Sequence, residues 1–323
     1  MKYSYFPGCS LERNALAYHH SSLAIAKPLG MEFVEVDDWN CCGATEYVSL
    51  NLTASYALIA RNLALAAKNP AAAQLVAPCS ACYLNLRKCD HYMATSPELA
   101  EKVNTALGAG GLAYKAGTLK VRHLLDVIVS DVGCAAVAAQ VTRPLKGLRV
   151  VPYYGCMVVR PELGAAFDGL EQPTTLDRLL QALGAEVVPF SLKAACCGGH
   201  MTQISEATGF EMIRRLVKDA TDGRADLIAA LCPMCQLNLD AFQGPMNKFF
   251  KTDYHMPVLY FTQLVGLAFG LDAKSLGIGS ELVDARGALA KIGIAAPAAG
   301  PETPKKPPKR DDKSLPMPRM SGA

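Results

Sequence analysis

The sequence predicts an α/β protein built as two pseudo-symmetric repeats of parallel βαβ units, with cysteine-bearing loops that form a site at the carboxyl ends of the strands. Three observations lead there. Ten of the twelve cysteines form two matching sets of five, short β-rich runs alternate with helix-type stretches in the same order in both halves, and a cysteine group follows almost every such run. In parallel α/β sheets, sites form beyond the carboxyl ends of the strands, so three loops per half should bring five thiols together.

The first set is Cys9, Cys41, Cys42, Cys79 and Cys82; the second is Cys156, Cys196, Cys197, Cys232 and Cys235. Matching members lie 147, 155, 153 and 153 residues apart (Cys9 to Cys156, Cys41 to Cys196, Cys79 to Cys232, Cys82 to Cys235). Their surroundings match as well: FPGCS with YYGCM, NCCGA with ACCGG, and CSACYLNL with CPMCQLNL. These are the marks of an internal duplication, with a boundary in VTRPLKG. The expected division is a first cysteine-rich domain over 1–141, a linker over 142–147, a second domain over 148–294 and a disordered Pro- and Lys-rich tail over 295–323.

Element by element, MKYSYF is a strand ending in Pro-Gly before Cys9. A helix is expected from about Glu12 to Leu29, then the strand MEFVEV before Cys41-Cys42. A helix over Ser55 to Lys68 precedes the strand AQLVAP, which leads into Cys79, and a further helix opens at Cys82. The second half repeats the order: LRVVPYY, a helix near Thr175 to Leu183, AEVVPF, a helix near Ile204 to Ala220, and ADLIAAL before Cys232. Gly8, Gly43, Gly155, Gly198 and Gly199 suit backbone that turns tightly around a bulky group. Helix N-termini beside Cys82 and Cys235 would favour thiolate.

Composition bounds the function. The 323 residues are 51% hydrophobic with a formal net charge of +3, too small to argue for nucleic acid or an acidic membrane surface. No apolar run reaches the roughly 18–20 residues of a membrane span; PVLYFTQLVGLAFGL is short and broken by Gln263. The start MKYSYFPGCS lacks the pattern of a secretory signal, so a cytoplasmic location with reduced thiols is expected, where many cysteines point to metal binding or catalysis.

Three readings of the sulfurs compete. A tetrahedral zinc site wants four ligands, and five thiols with an adjacent pair fit it poorly. Buried structural thiols explain one or two cysteines, not ten in register. Iron–sulfur ligation fits thiolate-only sets best. Cys89 and Cys134 have no counterpart in the opposite half and are expected to be non-ligands. The duplicated Asn85 and Asn238 are expected to cap or orient the ligand loops.

On C-x31-C-C-x36-C-x-x-C in the first half and C-x39-C-C-x34-C-x-x-C in the second, together with YYGCMVVRP, CCGGH and PVLYFTQLVGLAFGL, the chain resembles the paired cysteine-rich CCG domains of the B-type subunit of heterodisulfide reductase, over roughly residues 1 to 270. The resemblance implies that each set of five cysteines binds a non-cubane [4Fe-4S] cluster, two in all, facing each other between the halves. It implies a catalytic subunit that reduces or forms a disulfide between two thiols, such as coenzyme M and coenzyme B or a sulfur-oxidation substrate. The alternative is a non-catalytic electron-transfer iron–sulfur subunit of a CCG-domain dehydrogenase complex. Without a C-x2-C-x2-C-x3-C-P run or a G-x-G-x-x-G fingerprint, cubane clusters and flavin are expected on partners: a ferredoxin-like C-type subunit and a flavin-containing A-type subunit. His200 is a candidate proton donor or a hydrogen-bond partner of a ligand. Lys193 and Arg160 are candidates for receiving an anionic substrate.

Overall fold

A computed structural model describes residues 1–44, 47–69, 73–163, 168–295 and 297. Beyond 297 the Pro-rich tail expected over 295–323 lies outside the described residues.

Two four-stranded sheets form the frame, both fully parallel. The first contains β1 (Lys2–Tyr5), β2 (Glu32–Glu35), β3 (Gln74–Ala77) and β4 (Lys120–His123) in the order β2-β1-β3-β4. The second contains β5 (Arg149–Tyr153), β6 (Glu186–Val187), β7 (Leu227–Ala230) and β8 (Val258–Tyr260) in the order β6-β5-β7-β8. The two orders are the same, so the duplication read from the cysteines is a duplication of topology. Strand β7, LIAA, is buried along its whole length, as a central parallel strand covered by helices on both faces must be.

The fourth strands escape a pattern-based reading. KVRH carries two charged residues, and VLY is only three residues inside a long apolar run. Yet they are register partners in the repeat: Ala77 pairs with His123 at the end of β3–β4, and Ala230 pairs with Tyr260 at the end of β7–β8. Arg122 is tolerated at 4% exposure because Asp126 and Asp131 both pair with its guanidinium at 2.6 Å.

Three helix expectations shift. The helix expected over Glu12 to Leu29 is confined to Leu16–Ala26 and is preceded by a separate short helix, Gly8–Leu11, because the chain turns where the amides of Arg13 and Ala15 both donate to Ser10 O. The helix near Ile204 is likewise split at extended Ser205, into Met201–Ile204 and Glu206–Asp222. In each C-x-x-C the helix begins just after the first cysteine rather than at the second: Cys79 caps Ser80–Thr95, and Cys232 caps Pro233–Ala241. Proline at the first helical position suits that start.

Helix Leu16–Ala26 packs against Phe261–Ala268 of the other half, with Ser21 Oγ and Thr262 Oγ1 2.6 Å apart in a buried contact. The segment over 142–147 is also fixed to the second half, the amides of Thr142 and Arg143 donating to Ala268 O and that of Leu145 to Leu183 O.

Candidate metal centre

Each half gathers its five cysteines from three loops that follow β1, β2 and β3 in the first sheet and β5, β6 and β7 in the second. Cys9 Sγ lies 3.6 Å from Cys41 Sγ, and Cys42 Sγ lies 3.2 Å from Cys82 Sγ. Cys41 also meets Cys42, and Cys82 meets Cys79, so the set is a continuous chain of sulfurs. In the second half Cys156 meets Cys196, Cys196 meets Cys197, Cys197 meets Cys235 and Cys235 meets Cys232. The two chains approach each other at Cys79 and Cys232, each of which acts on the other's ionisation. No group of three His, Cys, Asp or Glu side chains among the described residues is set to hold a single metal ion. The arrangement is an extended row of sulfurs.

Backbone shape makes room for that row. Gly8 and Gly155 have φ of +73° and +68°, a region that favours glycine, and a Cβ added there would stand 2.8 Å from Cys82 Sγ and 3.0 Å from Cys235 Sγ. Any side chain at either position would sit on a ligand candidate.

The electrostatics show what the sulfurs lack. Thiol donation from Cys42 and then Cys9 pulls the Cys41 pKa down to about 2. Donation from Cys156 and Cys197 does the same for Cys196, also to about 2. Cys42 and Cys197 are pushed up to about 12, chiefly because each gives its proton to the adjacent cysteine. Cys232 is held low by Cys235 and Cys79, with the amides of Cys235 and Met234 at the helix start assisting. Full ionisation of either set is opposed by neighbouring thiolates and burial, and therefore calls for bound cations of high charge. An all-sulfur donor set of this kind fits a polynuclear iron–sulfur group.

The loops are held by different devices in the two halves. In the first, buried Asn62 grips Asn40 at both backbone groups (N–H to Oδ1 2.9 Å, Nδ2 to O 3.0 Å), and Asn85 Nδ2 donates to Cys42 O at 3.1 Å. In the second, Asn238 Nδ2 donates to Gly199 O at 2.8 Å and reaches Cys197 O at 3.4 Å. Both duplicated asparagines thus orient the Cys-Cys loops. Cys89 is fully buried against Tyr56 O and Met93 Sδ, and Cys134 starts the short helix Cys134–Ala139.

Lys193 is 7% exposed, its ammonium 2.6 Å from Asp177 Oδ1 and 2.9 Å from Pro173 O. Its carbonyl accepts from the amides of Tyr154 and Gly155, just before Cys156. It is a strut between two cysteine loops. Arg160 donates to Ala194 O at 2.7 Å, and its positive charge stabilises the Cys196 thiolate. His200, half-buried, caps Met201–Ile204 directly after Cys196-Cys197-Gly-Gly.

Sequence reasoning missed the polar residues at the seam. Tyr18, Ser80 and His123 are at most 1% exposed, and Tyr260 is 3% exposed. The signal was weak: Tyr18, Ser80 and His123 are each a single polar group in an element that carries other polar residues. Burial keeps His123 neutral, drawing its pKa down to about 4 from 6.5. Because the folded value is the lower one, this stabilisation is complete above about pH 6.5 and is lost as pH falls toward 4, where only the unfolded imidazole takes a proton; it amounts to on the order of 3 kcal/mol. Unfolding curves from pH 7 to 4 should show His123→Gln losing less stability than the native chain, whereas parallel curves would contradict the assignment.

Comparison with known proteins agrees with this architecture. The cysteine-rich domain family named CCG matches twice, over residues 3–87 and 150–240. The 8-methylmenaquinol:fumarate reductase membrane anchor subunit of Wolinella succinogenes is 34% identical over 284 residues, covering 88% of this chain and 98% of that one. The B-type subunit of the ferredoxin/F(420)H(2)-dependent CoB-CoM heterodisulfide reductase of Methanosarcina acetivorans is 30% identical over 294 residues, covering 90% and 97%. A solved structure of a hypothetical protein from Helicobacter pylori shares the fold, with a TM-score of 0.71 at 17% identity over 88% of this chain; the chain spans 52% of that structure's length. No helix among the described residues is long and apolar enough to cross a membrane. With two CCG domains and such relatives along most of its length, the chain belongs to the family of heterodisulfide reductase B-type subunits.

Proposed function

We propose that this chain is the catalytic iron–sulfur subunit of a heterodisulfide reductase-like complex, acting in the cytoplasm on a disulfide formed from two thiols. In this reading residues 1–141 and 148–294 are its two domains. Cys9, Cys41, Cys42, Cys79 and Cys82 hold one [4Fe-4S] cluster of non-cubane form, and Cys156, Cys196, Cys197, Cys232 and Cys235 hold the other. The observation that carries the reading is the meeting of the two sulfur rows at Cys79 and Cys232, which suits a substrate that itself has two sulfurs.

When bound, the clusters would supply electrons and Lewis-acidic iron to those sulfurs. The chain's residues have the other tasks. Reducing a disulfide to two thiols takes up two electrons and two protons. The electrons would come through a ferredoxin-like C-type subunit from a flavin-containing A-type subunit. His200, four residues after the exposed Cys196, is the candidate proton donor. Arg160, beside Cys196, would receive an anionic substituent of the substrate. Lys193, committed to Asp177, would act by holding the loops instead of meeting substrate.

A relay reading has its own support in the similarity to a chain named for a membrane anchor subunit of a fumarate reductase. There the same clusters would only pass electrons on. Electron paramagnetic resonance of the air-free protein, recorded during titration with the coenzyme M–coenzyme B disulfide and its two thiols, separates the two. Direct sulfur binding is expected to change the cluster signal; an unchanged signal across all three would favour the relay.

A further inference from the structure

Around the two inner cysteine turns, the side-chain donors come from the first half. The turns Pro78-Cys79 and Leu231-Cys232 are equivalent in the repeat, and their carbonyls meet the same buried hydroxyl. Tyr18 Oη, completely buried, donates to both, at 2.9 Å to Pro78 O and 3.1 Å to Leu231 O. Ser80 Oγ adds a bond to Leu231 O at 3.3 Å. His123 Nδ1 accepts from the Leu125 amide at 3.2 Å, which leaves the proton on Nε2, 3.4 Å from Ser80 Oγ, with the ring facing both carbonyls.

All three groups belong to the first half. Where Ser80 stands, the second repeat has Pro233, and where His123 stands, it has Tyr260, whose hydroxyl turns away to Gln236 Oε1 at 3.2 Å. Tyr260 contributes its ring instead, stacked on Tyr18 with centroids 4.4 Å apart and planes 7° from parallel. Two buried carbonyl oxygens facing each other repel unless a donor lies between them. The Tyr18 hydroxyl stands between them, within 3.1 Å of both.

We propose that Tyr18 is a positioning residue: its hydroxyl ties the Pro78 and Leu231 carbonyls together and so fixes the separation of Cys79 and Cys232, the innermost thiols of the two sulfur rows. The spacing is a property of the polypeptide and needs no metal. Its consequence, electronic contact between two clusters, rests on the proposed function.

Tyr18→Phe keeps the ring on Tyr260 and removes only the hydroxyl. Tyr114→Phe is the control: that tyrosine is 3% exposed and bonded to Asp90 at 2.6 Å, so it also loses one buried hydrogen bond. Iron-free protein is treated with diamide, which takes two electrons and two protons from a pair of thiols as their disulfide forms, and peptide masses report the linkages. The Cys79–Cys232 linkage is expected from the native chain and from Tyr114→Phe, and its yield should fall about tenfold in Tyr18→Phe, the scale of one lost buried hydrogen bond. Equal yields in all three chains would overturn the role of Tyr18. Absence of the linkage from the native chain would overturn the seam contact itself. In iron-loaded protein, Tyr18→Phe should weaken the magnetic interaction between the two centres with iron content unchanged. Iron-free native protein after air-free isolation would count against the proposed function while leaving the diamide result to stand alone.

Discussion

If the proposed ligand sets hold, Cys235→Ala should cost the protein about half its iron, all of it from the second half, because the change removes one of five thiolates from one proposed site and none from the other. Cys235 is 6% exposed and lies between Cys197 and Cys232 in the sulfur row, so its loss interrupts the row near its inner end. Alanine there removes only one atom, and the surrounding helix Pro233–Ala241 retains Leu239 in the core. The far-ultraviolet circular dichroism should therefore stay close to native. Disulfide turnover should be abolished, since two sulfurs would face one remaining centre. Cys89→Ser supplies the contrast: this thiol is buried among Tyr56 and Met93 and should leave iron content unchanged. Full iron content in Cys235→Ala, or loss of iron in Cys89→Ser, would contradict the grouping of the cysteines.

Lys193→Ala should be the most destabilising single change outside the cysteines, by about 3–5 kcal/mol, because it strands a partly buried carboxylate. Asp177 has 18% of its side chain exposed and is hydrogen-bonded to the Tyr154 hydroxyl at 2.7 Å as well as to Lys193. The Tyr154 hydroxyl in turn accepts from the amide of Leu176 at 2.6 Å, locking the start of helix Thr175–Ala182. Removing the ammonium leaves the carboxylate with too little compensation and loosens the segment between Phe190 and Cys196. The double variant Lys193→Met with Asp177→Leu should recover most of the loss, since an apolar pair of similar volume needs no solvation. Denaturant midpoints of the three chains decide this. A Lys193→Ala chain as stable as the native one would show that the pair is not a strut.

The fold class, the parallel sheets and the duplication were legible because the first three strands of each half are short β-rich runs that each lead into a cysteine group. Strand β4 was not, since Arg122 is charged and becomes a core residue only through Asp126 and Asp131, one of them nine residues away. Strand β8 was hidden because VLY runs without a polar break into helix Phe261–Ala268. The cysteine sets could be read from spacing alone, yet their junction at Cys79 and Cys232 depends on how two repeats dock, which no local pattern encodes. The same holds for Tyr18, whose two acceptors lie 60 and 213 residues away. Lys193 reads from sequence as a candidate for receiving an anionic substrate because nothing local shows that Asp177 reaches it.

The most direct test of the account is chemical analysis of the full chain isolated without air. It predicts about eight iron atoms and about eight acid-labile sulfides per chain, two four-iron centres in all, with no stoichiometric zinc. A colourless protein holding one or two zinc ions and no sulfide would contradict it.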